Sequence, residues 1–455
     1  MEDIIKIIKK AKEGKWTSLD LSKQDLTEFP VEVCTLTKLK FLNLYKNHIN
    51  EFPPEIVKLT HLENLNLGTN NTYTFPNNLT KIKSLKHLDL SNNKIPTLPQ
   101  DIKNLKDLTI LDLRGNQITE LPKEIGFLTG LVELDLSRNK FKRLPIEIGK
   151  LINLVKLRLT TNHLVELTPA IGRLESLEEL EIRINRITDL PPEIGNLKNL
   201  KSLELTRNRL TFLPAEIGNL KNLEYLEISK NELVELPTSI GGLINLKDLE
   251  VDQNYLKSIP SDIGKLKKLE EAGFGENQIG SLPSSFGSLK NLKSISFSHN
   301  KLKKIPLCFA KLKKLIHLHF YDNDITRIPI EIGALENLDP IHGLWVEENP
   351  IIYPHPDKTS RSSIDILRFI RKEYQKKSTP TKSKVKHEAI VRIKDPDDIY
   401  DLMSMIAASV SDIPIKSISL SNFSKASLGN IRFTCDIFLE NKKVLKGNFS
   451  LSCYE

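Results

Sequence analysis

Cysteine, methionine and tryptophan are scarce in this sequence. Its 455 residues include four cysteines, three methionines and two tryptophans, and aromatic residues make up only 6% of the chain. The cysteines (Cys34, Cys308, Cys435 and Cys453) show no metal-ligand spacing and no cluster of the kind that closes the ends of secreted repeat proteins. We therefore expect four reduced thiols and a cytoplasmic location.

Long apolar runs and catalytic signatures are missing as well. No stretch approaches the roughly 18 apolar residues of a membrane helix, and the start, MEDIIKIIKKAKEGKW, lacks the continuous apolar core of a signal peptide. The sequence has no GxxxxGK[ST], HExxH, CxxC or GxSxG motif. Its net charge of +8 is modest for 455 residues and does not by itself predict nucleic-acid binding. We expect no catalytic activity, no cofactor and no metal.

Asparagine, by contrast, recurs with a strict period of 23 residues. The same register reaches back to Gln24, and a three-residue insertion places the last match at Asn349, which makes about fifteen repeats. The thirteen asparagines between these ends are Asn47, Asn70, Asn93, Asn116, Asn139, Asn162, Asn185, Asn208, Asn231, Asn254, Asn277, Asn300 and Asn323.

Each repeat contains two apolar patterns of different period. In the repeat of Asn116, the LxxLxL pattern of Leu108, Leu111 and Leu113 alternates and predicts a short strand with one buried face. The LPxxIGxL pattern that follows is interrupted by proline and glycine, so it predicts a tight turn and a short helical or irregular return. An inward-facing asparagine must be hydrogen-bonded, and its amide can bind backbone groups of the neighbouring repeat. We predict a ladder of such amides.

This pattern resembles the leucine-rich-repeat family, in its 23-residue intracellular subtype with the LPxxIGxLxxL return. It is similar to Ras-suppressor and Ras-binding scaffolds, Scribble-type scaffolds and the repeat halves of Roco proteins. The resemblance covers roughly residues 15–353 and implies an α/β fold, a curved right-handed solenoid whose parallel strands line the concave side. It also implies a protein-binding scaffold with a small GTPase or its regulatory complex as partner, although the subtype serves many partners.

Both ends of a solenoid expose core residues, so capping elements are expected. Residues 1–15 are predicted to form an N-terminal capping helix in front of the solenoid, 16–353, with Trp16 packed at the junction. The apolar stripe of this helix consists of Ile4, Ile5, Ile7, Ile8 and Ala11. A helix lying on a membrane surface is the alternative for the same residues.

The pattern changes after the last repeat. Residues 354–374 are predicted to form a C-terminal capping helix, with Ile364, Leu367 and Ile370 at helical spacing, and residues 375–386 form a basic, Ser/Thr-rich linker.

Residues 387–455 are predicted to form a small α+β domain of β-α-β-β-β order. EAIVRI indicates a strand, and Asp395-Pro396 begins a helix that runs to about Val410. Three alternating segments, ISLSNF, NIRFTCDIFLE and NFSLSCYE, indicate an antiparallel sheet with one solvated face.

The variable positions between the strand leucines point to solvent and carry the candidate site. Acids dominate the column of the middle repeats, with arginines beside them, so these residues either neutralise one another in exposed ion pairs or form a mixed-charge docking strip. The last repeats add aromatic side chains, which favour a protein contact; a metal site at His317 and His319 is the alternative there. The predicted protein-binding residues are Asp112, Arg114, Asp135, Arg138, Arg158, Glu181, Arg183, Ile184, Glu204, Arg207, Glu227, His317, His319, Tyr321 and Trp345.

Two other functions remain open from the sequence. In the first, the repeats select a substrate for an enzymatic domain in residues 387–455. In the second, a lysine-rich edge docks lipid or nucleic acid; that edge contains Lys301, Lys303, Lys304, Lys311, Lys313 and Lys314.

Overall fold

The computed structural model describes residues 2–355 and 362–378, together with the backbone of three strands near the C-terminus. The chain divides into two compact units, Met1–Ser378 and Thr379–Glu455.

A single sheet of fifteen parallel strands, ordered as in the sequence, forms the first unit. The strands are β1 (Ser18–Asp20), β2 (Phe41–Asn43), β3 (Asn64–Asn66), β4 (His87–Asp89), β5 (Ile110–Asp112), β6 (Glu133–Asp135), β7 (Lys156–Arg158), β8 (Glu179–Glu181), β9 (Ser202–Glu204), β10 (Tyr225–Glu227), β11 (Asp248–Glu250), β12 (Glu271–Gly273), β13 (Ser294–Ser296), β14 (His317–His319) and β15 (Leu344–Trp345). The open, curved sheet confirms the predicted leucine-rich-repeat solenoid.

Short 3-10 helices, rather than α-helices, return the chain between strands. They span Val31–Thr35, Pro54–Lys58, Asn77–Lys81, Gln100–Asn104, Lys123–Phe127, Ile146–Lys150, Pro169–Arg173, Pro192–Asn196, Ala215–Asn219, Thr238–Gly242, Ser261–Lys265, Ser284–Ser288, Leu307–Lys311 and Ile330–Ala334. Proline precedes all of them except Pro169–Arg173, where the Thr168 hydroxyl accepts a hydrogen bond from the N–H of Ala170 instead. Glycine then allows close packing: a Cβ on Gly195 would lie 2.5 Å from the carbonyl oxygen of Glu216 in the next repeat.

The predicted amide ladder is present and joins each repeat to the one before it. Asn116 Oδ1 accepts a hydrogen bond from the N–H of Ile95 at 3.0 Å, and Asn116 Nδ2 donates to the carbonyl oxygens of Leu90 and Leu113, both at 2.9 Å. Every asparagine of the series repeats this pattern through Asn349, where the insertion lengthens the offset. The register extends to Gln24, whose repeat contains β1, but the Gln24 side chain is exposed and donates to the Ser22 carbonyl oxygen; the ladder begins at Asn47.

A second, exposed asparagine series follows the return segments, and the sequence analysis missed it. Each of these side chains donates to the carbonyl oxygen of the residue 24 positions earlier, as Asn222 does to Lys198 at 2.9 Å. The series consists of Asn153, Asn199, Asn222, Asn245, Asn291 and Asn337. The "NL" that follows six of the 3-10 helices is the signal that would have revealed it.

Helix α1 (Glu2–Glu13) covers the first repeat. Ile4, Ile8 and Ala11 are buried in the solenoid core, whereas Ile7 remains exposed. Because the apolar side of α1 is buried against protein, it is not free to enter a membrane. Trp16 lies over Gly14 at the end of the helix but is 44% exposed, so it packs at the junction only in part.

Helix α2 (Ser363–Ser378) covers the last repeat. Ile366, Leu367 and Ile370 are buried, so Ile366 takes the core position that the sequence analysis assigned to Ile364, which is only half-buried. The helix continues through 375–378, which were assigned to the linker. Lys376 and Lys377 pair there with Glu373 and Glu331, and basic residues favour a helix C-terminus.

Hydrogen bonds attach both ends of α2 to the solenoid. At its start, Ser363 donates to Glu347 through its N–H and its hydroxyl, and its hydroxyl accepts from the N–H of Val346. Further along, Arg371 donates to the carbonyl oxygen of Leu338 at 2.8 Å.

The second unit contains three antiparallel strands, β16 (Ile415–Ala426), β17 (Asn430–Leu439) and β18 (Val444–Ser452), in the order β16-β17-β18. They correspond to the three alternating segments of the sequence. The strand and the helix predicted between residues 387 and 410 lie outside the described residues, as does most of the predicted linker.

Candidate protein-binding face

The candidate site lies on the exposed face of the fifteen-stranded sheet. In each strand the middle residue is buried, and the first and third face outward. Neighbouring strands pair in register at an offset of 23 residues, so Asp112 lies opposite Asp135 and Asp135 opposite Arg158. Glu181, Glu204 and Glu227 continue the same row.

Two arginines of this face are held in ion pairs. Arg158 contacts Glu181 at 2.9 Å, Glu179 at 3.6 Å and Glu133 at 3.8 Å. Arg158 therefore neutralises acids on both neighbouring strands, as the ion-pair interpretation of the sequence expects.

Arg183, which lies two residues after the end of β8, makes similar contacts. Its guanidinium lies 3.1 Å from a carboxylate oxygen of Glu204 and 4.0 Å from one of Glu227. Burial raises the pKa of Glu204, the charge of Arg183 opposes that shift, and the neighbouring carboxylates of Glu181 and Glu227 add to it.

The other three arginines are free to meet a partner. Arg114, Arg138 and Arg207 are exposed and form no ion pair with any residue that the structure describes. Arg138 and Arg207 have positive φ angles of 54° and 59°. Such left-handed backbone costs a non-glycine residue roughly 1–2 kcal/mol, and hydrogen bonds such as that from the N–H of Arg207 to the carbonyl oxygen of Ser229 hold it in place.

The left-handed residue recurs immediately before every asparagine of the ladder. Gly115 is the one glycine in this column. At the other positions the hydrogen bonds of the ladder fix the backbone, and the backbone directs the side chain outward. Ile184, with φ of 56°, is 43% exposed in this column, between Thr161 and Arg207 of the neighbouring repeats.

A shallow hollow of about 430 Å³ lies at the acidic start of the row. Asp112, Asp135, Arg138 and Arg158 are among its lining residues. Burial raises the pKa of Asp112 to about 6; the N–H of Arg114, which donates to this carboxylate at 2.8 Å, opposes the shift. Asp112 is therefore a carboxylate whose charge responds to pH near neutrality.

Aromatic side chains gather at the C-terminal end of the face. The His319 and Trp345 rings stack with centroids 4.7 Å apart, and His317 lies 5.8 Å from His319. Tyr321 packs edge-on against His299, which pairs with Asp322 at 2.7 Å.

The protonation state of His319 favours the contact between its ring and Trp345. Burial lowers the pKa of His319, so its ring is neutral at neutral pH and can stack on Trp345. Trp345 itself is 42% exposed. No three potential ligands converge among the residues that the structure describes, so His317 and His319 have no third ligand for a metal there.

The sequence analysis overlooked two further sets of equivalent positions, which lie nearer the start of each strand. One contains the first residue of each strand, including Glu133, Lys156, Glu179, Tyr225 and Asp248. The other, one residue earlier, alternates lysine and glutamate across adjacent repeats. Its ion pairs are Lys40–Glu63, Glu63–Lys86, Glu178–Lys201, Glu224–Lys247 and Glu270–Lys293. The alternation of these residues at 23-residue spacing was the signal.

A second hollow, about 270 Å³ in volume, lies over β9, β10 and β11. We call it the acidic hollow; its walls are Glu204, Tyr225, Glu227, Asp248 and Glu250, and Leu226 contributes to its floor.

Beside this hollow, two carboxyl groups cover a position of the sheet that has no side chain of its own. Glu250 and Asp252 lie over Gly273, where a Cβ would collide with Glu250 Oε2. The N–H of Gly275 donates to Asp252 Oδ1 at 2.5 Å. Burial, reinforced by Asp252, raises the pKa of Glu250 to about 9. Glycine at 273 thus makes room for the carboxyl groups of Glu250 and Asp252.

We expect Glu250→Gln to stabilise the protein at neutral pH. The folded pKa of Glu250 lies above the ordinary value of 4.5, so the folded state binds the proton more tightly, and the free energy of unfolding falls as pH rises from about 4.5 to about 9. Glutamine does not ionise and so removes this loss. We expect the free energy of unfolding to be about 1–3 kcal/mol higher at pH 7.5. Urea denaturation between pH 5 and 9 measures it.

Glu235→Gln is the matched control, because Glu235 is exposed and lies in the return segment of the same solenoid. It should leave the pH profile unchanged. A Glu250→Gln profile that superimposes on the profile of the parent protein would show that Glu250 takes up no proton on folding.

The lysine-rich edge is partly occupied by the protein's own hydrogen bonds. Lys313 donates to the carbonyl oxygen of Ala334 at 2.9 Å, and Lys314 donates to Asn291 Oδ1 at 2.8 Å. Lys301, Lys303 and Lys304 are exposed. Lys313 therefore caps a backbone carbonyl group and Lys314 binds a side-chain amide, so part of this lysine charge does not form an open phosphate site.

Fold and face together define a repeat solenoid of the class that presents a continuous sheet surface. Residues 77–184 and 192–274 match the leucine-rich repeat region family, and residues 291–312 match the Leucine Rich Repeat family. A leucine-rich repeat protein of Leptospira interrogans is 35% identical, with 76% of this chain and 94% of that chain covered and a TM-score of 0.65. The chain belongs to the leucine-rich repeat proteins, a common module for protein–protein interaction.

Other solved structures share the fold. An internalin of Listeria monocytogenes is 27% identical, with 71% of this chain and 94% of that chain covered and a TM-score of 0.61. The Arabidopsis receptor kinase HAESA ectodomain, in complex with a peptide hormone ligand, is 30% identical, with 73% and 58% covered and a TM-score of 0.60. Comparison with curated protein sequences gives no match.

No helix in the described part of the chain is both long and apolar enough to cross a bilayer.

Proposed function

We propose that this protein is a cytoplasmic, non-enzymatic scaffold that binds a partner protein on the exposed face of its sheet. The observation that carries the proposal is the continuous row of outward side chains at in-register strand positions. On this face Arg158 and Arg183 are held by ion pairs, while Arg114, Arg138 and Arg207 are exposed and unpaired among the described residues.

The rigidity of the face supports this function. Its side chains project from strands and left-handed residues that backbone and amide hydrogen bonds hold in position, so little conformational entropy is lost on binding. Fifteen strands at about 4.8 Å spacing give a row of about 65–70 Å. Since a standard interface covers only about 800 Å² per partner, one partner would occupy a subset of repeats.

The partner class follows from the family resemblance. The sequence is similar to Ras-suppressor and Ras-binding scaffolds, and on that ground we propose a small GTPase or its regulatory complex, in a signalling role. The HAESA ectodomain, which holds a peptide hormone ligand, is an example of a similar solenoid with a polypeptide ligand. Free Cys34 and Cys308 are compatible with the proposed reducing compartment.

Charge reversal of the three free arginines tests the proposal. The triple variant Arg114→Glu, Arg138→Glu, Arg207→Glu removes no ion pair of the described chain, so we expect it to fold. Affinity purification from the source cells with quantitative mass spectrometry should show at least a tenfold loss of the partner. Purified partner, including any small GTPase recovered, is then titrated in both nucleotide states.

The control carries the same change in charge on the lysine-rich edge, outside the strands of the sheet face. Lys301→Glu, Lys303→Glu, Lys304→Glu should retain the partner. Retention on the arginine variant together with loss on the lysine variant would overturn the proposal and favour docking through the lysine-rich edge.

A further inference from the structure

The charge on the sheet face is unevenly distributed along the solenoid. The three free arginines lie in the repeats of Asn116, Asn139 and Asn208, whereas the next repeats carry mainly carboxylates. On β10 and β11 the outward residues are Tyr225, Glu227, Asp248 and Glu250. The acidic hollow lies in this stretch, and its chemistry limits what kind of partner segment can contact it.

Asp248, one of the carboxyl groups that line the acidic hollow, forms no ion pair in the described chain. Its Oδ1 is fully buried and has no hydrogen-bond partner among the described residues. The charged groups that act on Asp248 are Glu271 and Glu227, both acidic, and together with burial they raise its pKa. Asp248 lines the hollow and has only acidic groups acting on it, so a cationic donor that enters the hollow meets a carboxyl group that no cation of the described chain neutralises.

The cations of the surrounding elements pair with other acids or are exposed. Arg183 pairs with Glu204 and more distantly with Glu227, and Lys247 pairs with Glu224 on the flanking column. Lys230 lies in the left-handed column and is exposed. None of these cations forms an ion pair with Asp248 in the described chain.

The shape and lining of the hollow indicate which kind of cationic side chain would fit into it. Leu226 forms part of an apolar floor, and the Tyr225 ring is 49% exposed on one wall. An apolar floor and an aromatic wall suit the methylene stem of a long side chain, and an aromatic ring face attracts a cationic head. A volume of about 270 Å³ accommodates one such side chain.

We propose that the acidic hollow receives an arginine or lysine side chain from an extended, basic segment of the partner protein, with Asp248 and Glu227 as its acceptors. This inference rests on the proposed function and deepens it, because it adds the charge of the partner segment and the repeats that hold it. The partner would meet free arginines on one part of the face and free carboxylates on the other.

Fluorescence anisotropy with a defined peptide tests the inference on the full chain. The probe is a labelled Ser/Gly decapeptide with arginine at two alternate positions, and its counterpart carries citrulline, which keeps the shape and removes the charge. At low salt we expect the arginine peptide to bind at least tenfold tighter than the citrulline peptide. High salt should weaken this preference.

Asp248→Asn should reduce the affinity for the arginine peptide at least fivefold. The change keeps the side-chain shape at a position without a described partner, so folding should be retained, which circular dichroism checks. Tyr225→Ala should weaken binding to a smaller extent. The control Glu235→Gln removes an exposed carboxylate of the same region outside the hollow and should leave the affinity unchanged.

Three results would overturn the inference: equal affinity for the two peptides, unchanged binding by Asp248→Asn, or stoichiometric displacement of the peptide by Ca²⁺, which would make the hollow a metal site. Failure here is distinct from failure of the proposed function. If the arginine-face variant loses the partner while Asp248→Asn retains it, the sheet face is the binding surface and the hollow is not part of it.

Discussion

Replacing Asn208 with alanine is expected to lower the free energy of unfolding by about 3–5 kcal/mol. Asn208 Oδ1 accepts from the N–H of Ile187 at 3.1 Å, and its Nδ2 donates to the carbonyl oxygens of Ile182 and Leu205, both at 2.9 Å. Alanine would leave these three backbone groups buried and unpaired. Each unmade bond of this kind costs on the order of 1–3 kcal/mol.

Asn222→Ala is the matched control, since both asparagines bind a preceding repeat. Asn222 is exposed and makes one hydrogen bond, to the Lys198 carbonyl oxygen, which water can replace. We expect a loss of less than about 1 kcal/mol. Urea denaturation compares the two variants, and amide exchange at Ile187 reports the lost bond directly. Equal destabilisation by both variants would refute a special role for the buried ladder.

Phe297→Ala should destabilise the last repeats by about 3–5 kcal/mol. Phe297 is fully buried and its ring contacts four others, with centroids 5.5 Å from Phe274, Phe286 and Phe320 and 6.0 Å from Phe309. Removing the ring opens a cavity that its stacked and edge-on neighbours fill only in part.

Phe297→Leu is the control, because leucine or isoleucine occupies the equivalent buried position in repeats such as those of Leu113, Leu136 and Ile182. We expect it to cost about 1 kcal/mol. Since each repeat contacts mainly its neighbours, hydrogen exchange should show the Phe297→Ala effect concentrated in the C-terminal repeats. A uniform effect along the solenoid, or an equal cost for leucine, would contradict this account of the phenylalanine cluster.

Much of the fold was predictable because a repeat states the same structural rule many times. The position of Asn116 and its counterparts at intervals of 23 residues predicted the amide ladder, and the shifted Asn349 predicted an insertion. The exposed row from Asp112 to Glu227 followed from the two-residue period of the strand. The phenylalanine cluster was overlooked because each phenylalanine replaces a leucine or isoleucine without breaking the apolar pattern.

The candidate site was less predictable, since its chemistry depends on side chains from different repeats. Arg158 and Arg114 have the same charge and occupy neighbouring columns, yet Arg158 reaches three carboxylates and Arg114 none in the described chain. The unpaired Asp248 lies in a column that the sequence analysis did not consider. Helix α2 extended past its predicted end because Lys377 meets Glu331, a contact distant in sequence.

The sequence by itself determined the solenoid, the number of its strands and the direction in which each strand side chain points, because these depend on periodicity and on local backbone rules. Tertiary structure alone decided which charges are paired, which carboxyl groups are buried and where the sheet has hollows. Those properties depend on distances of 3–4 Å between side chains of adjacent repeats, and on the burial of each group. No pattern along a single repeat contains that information.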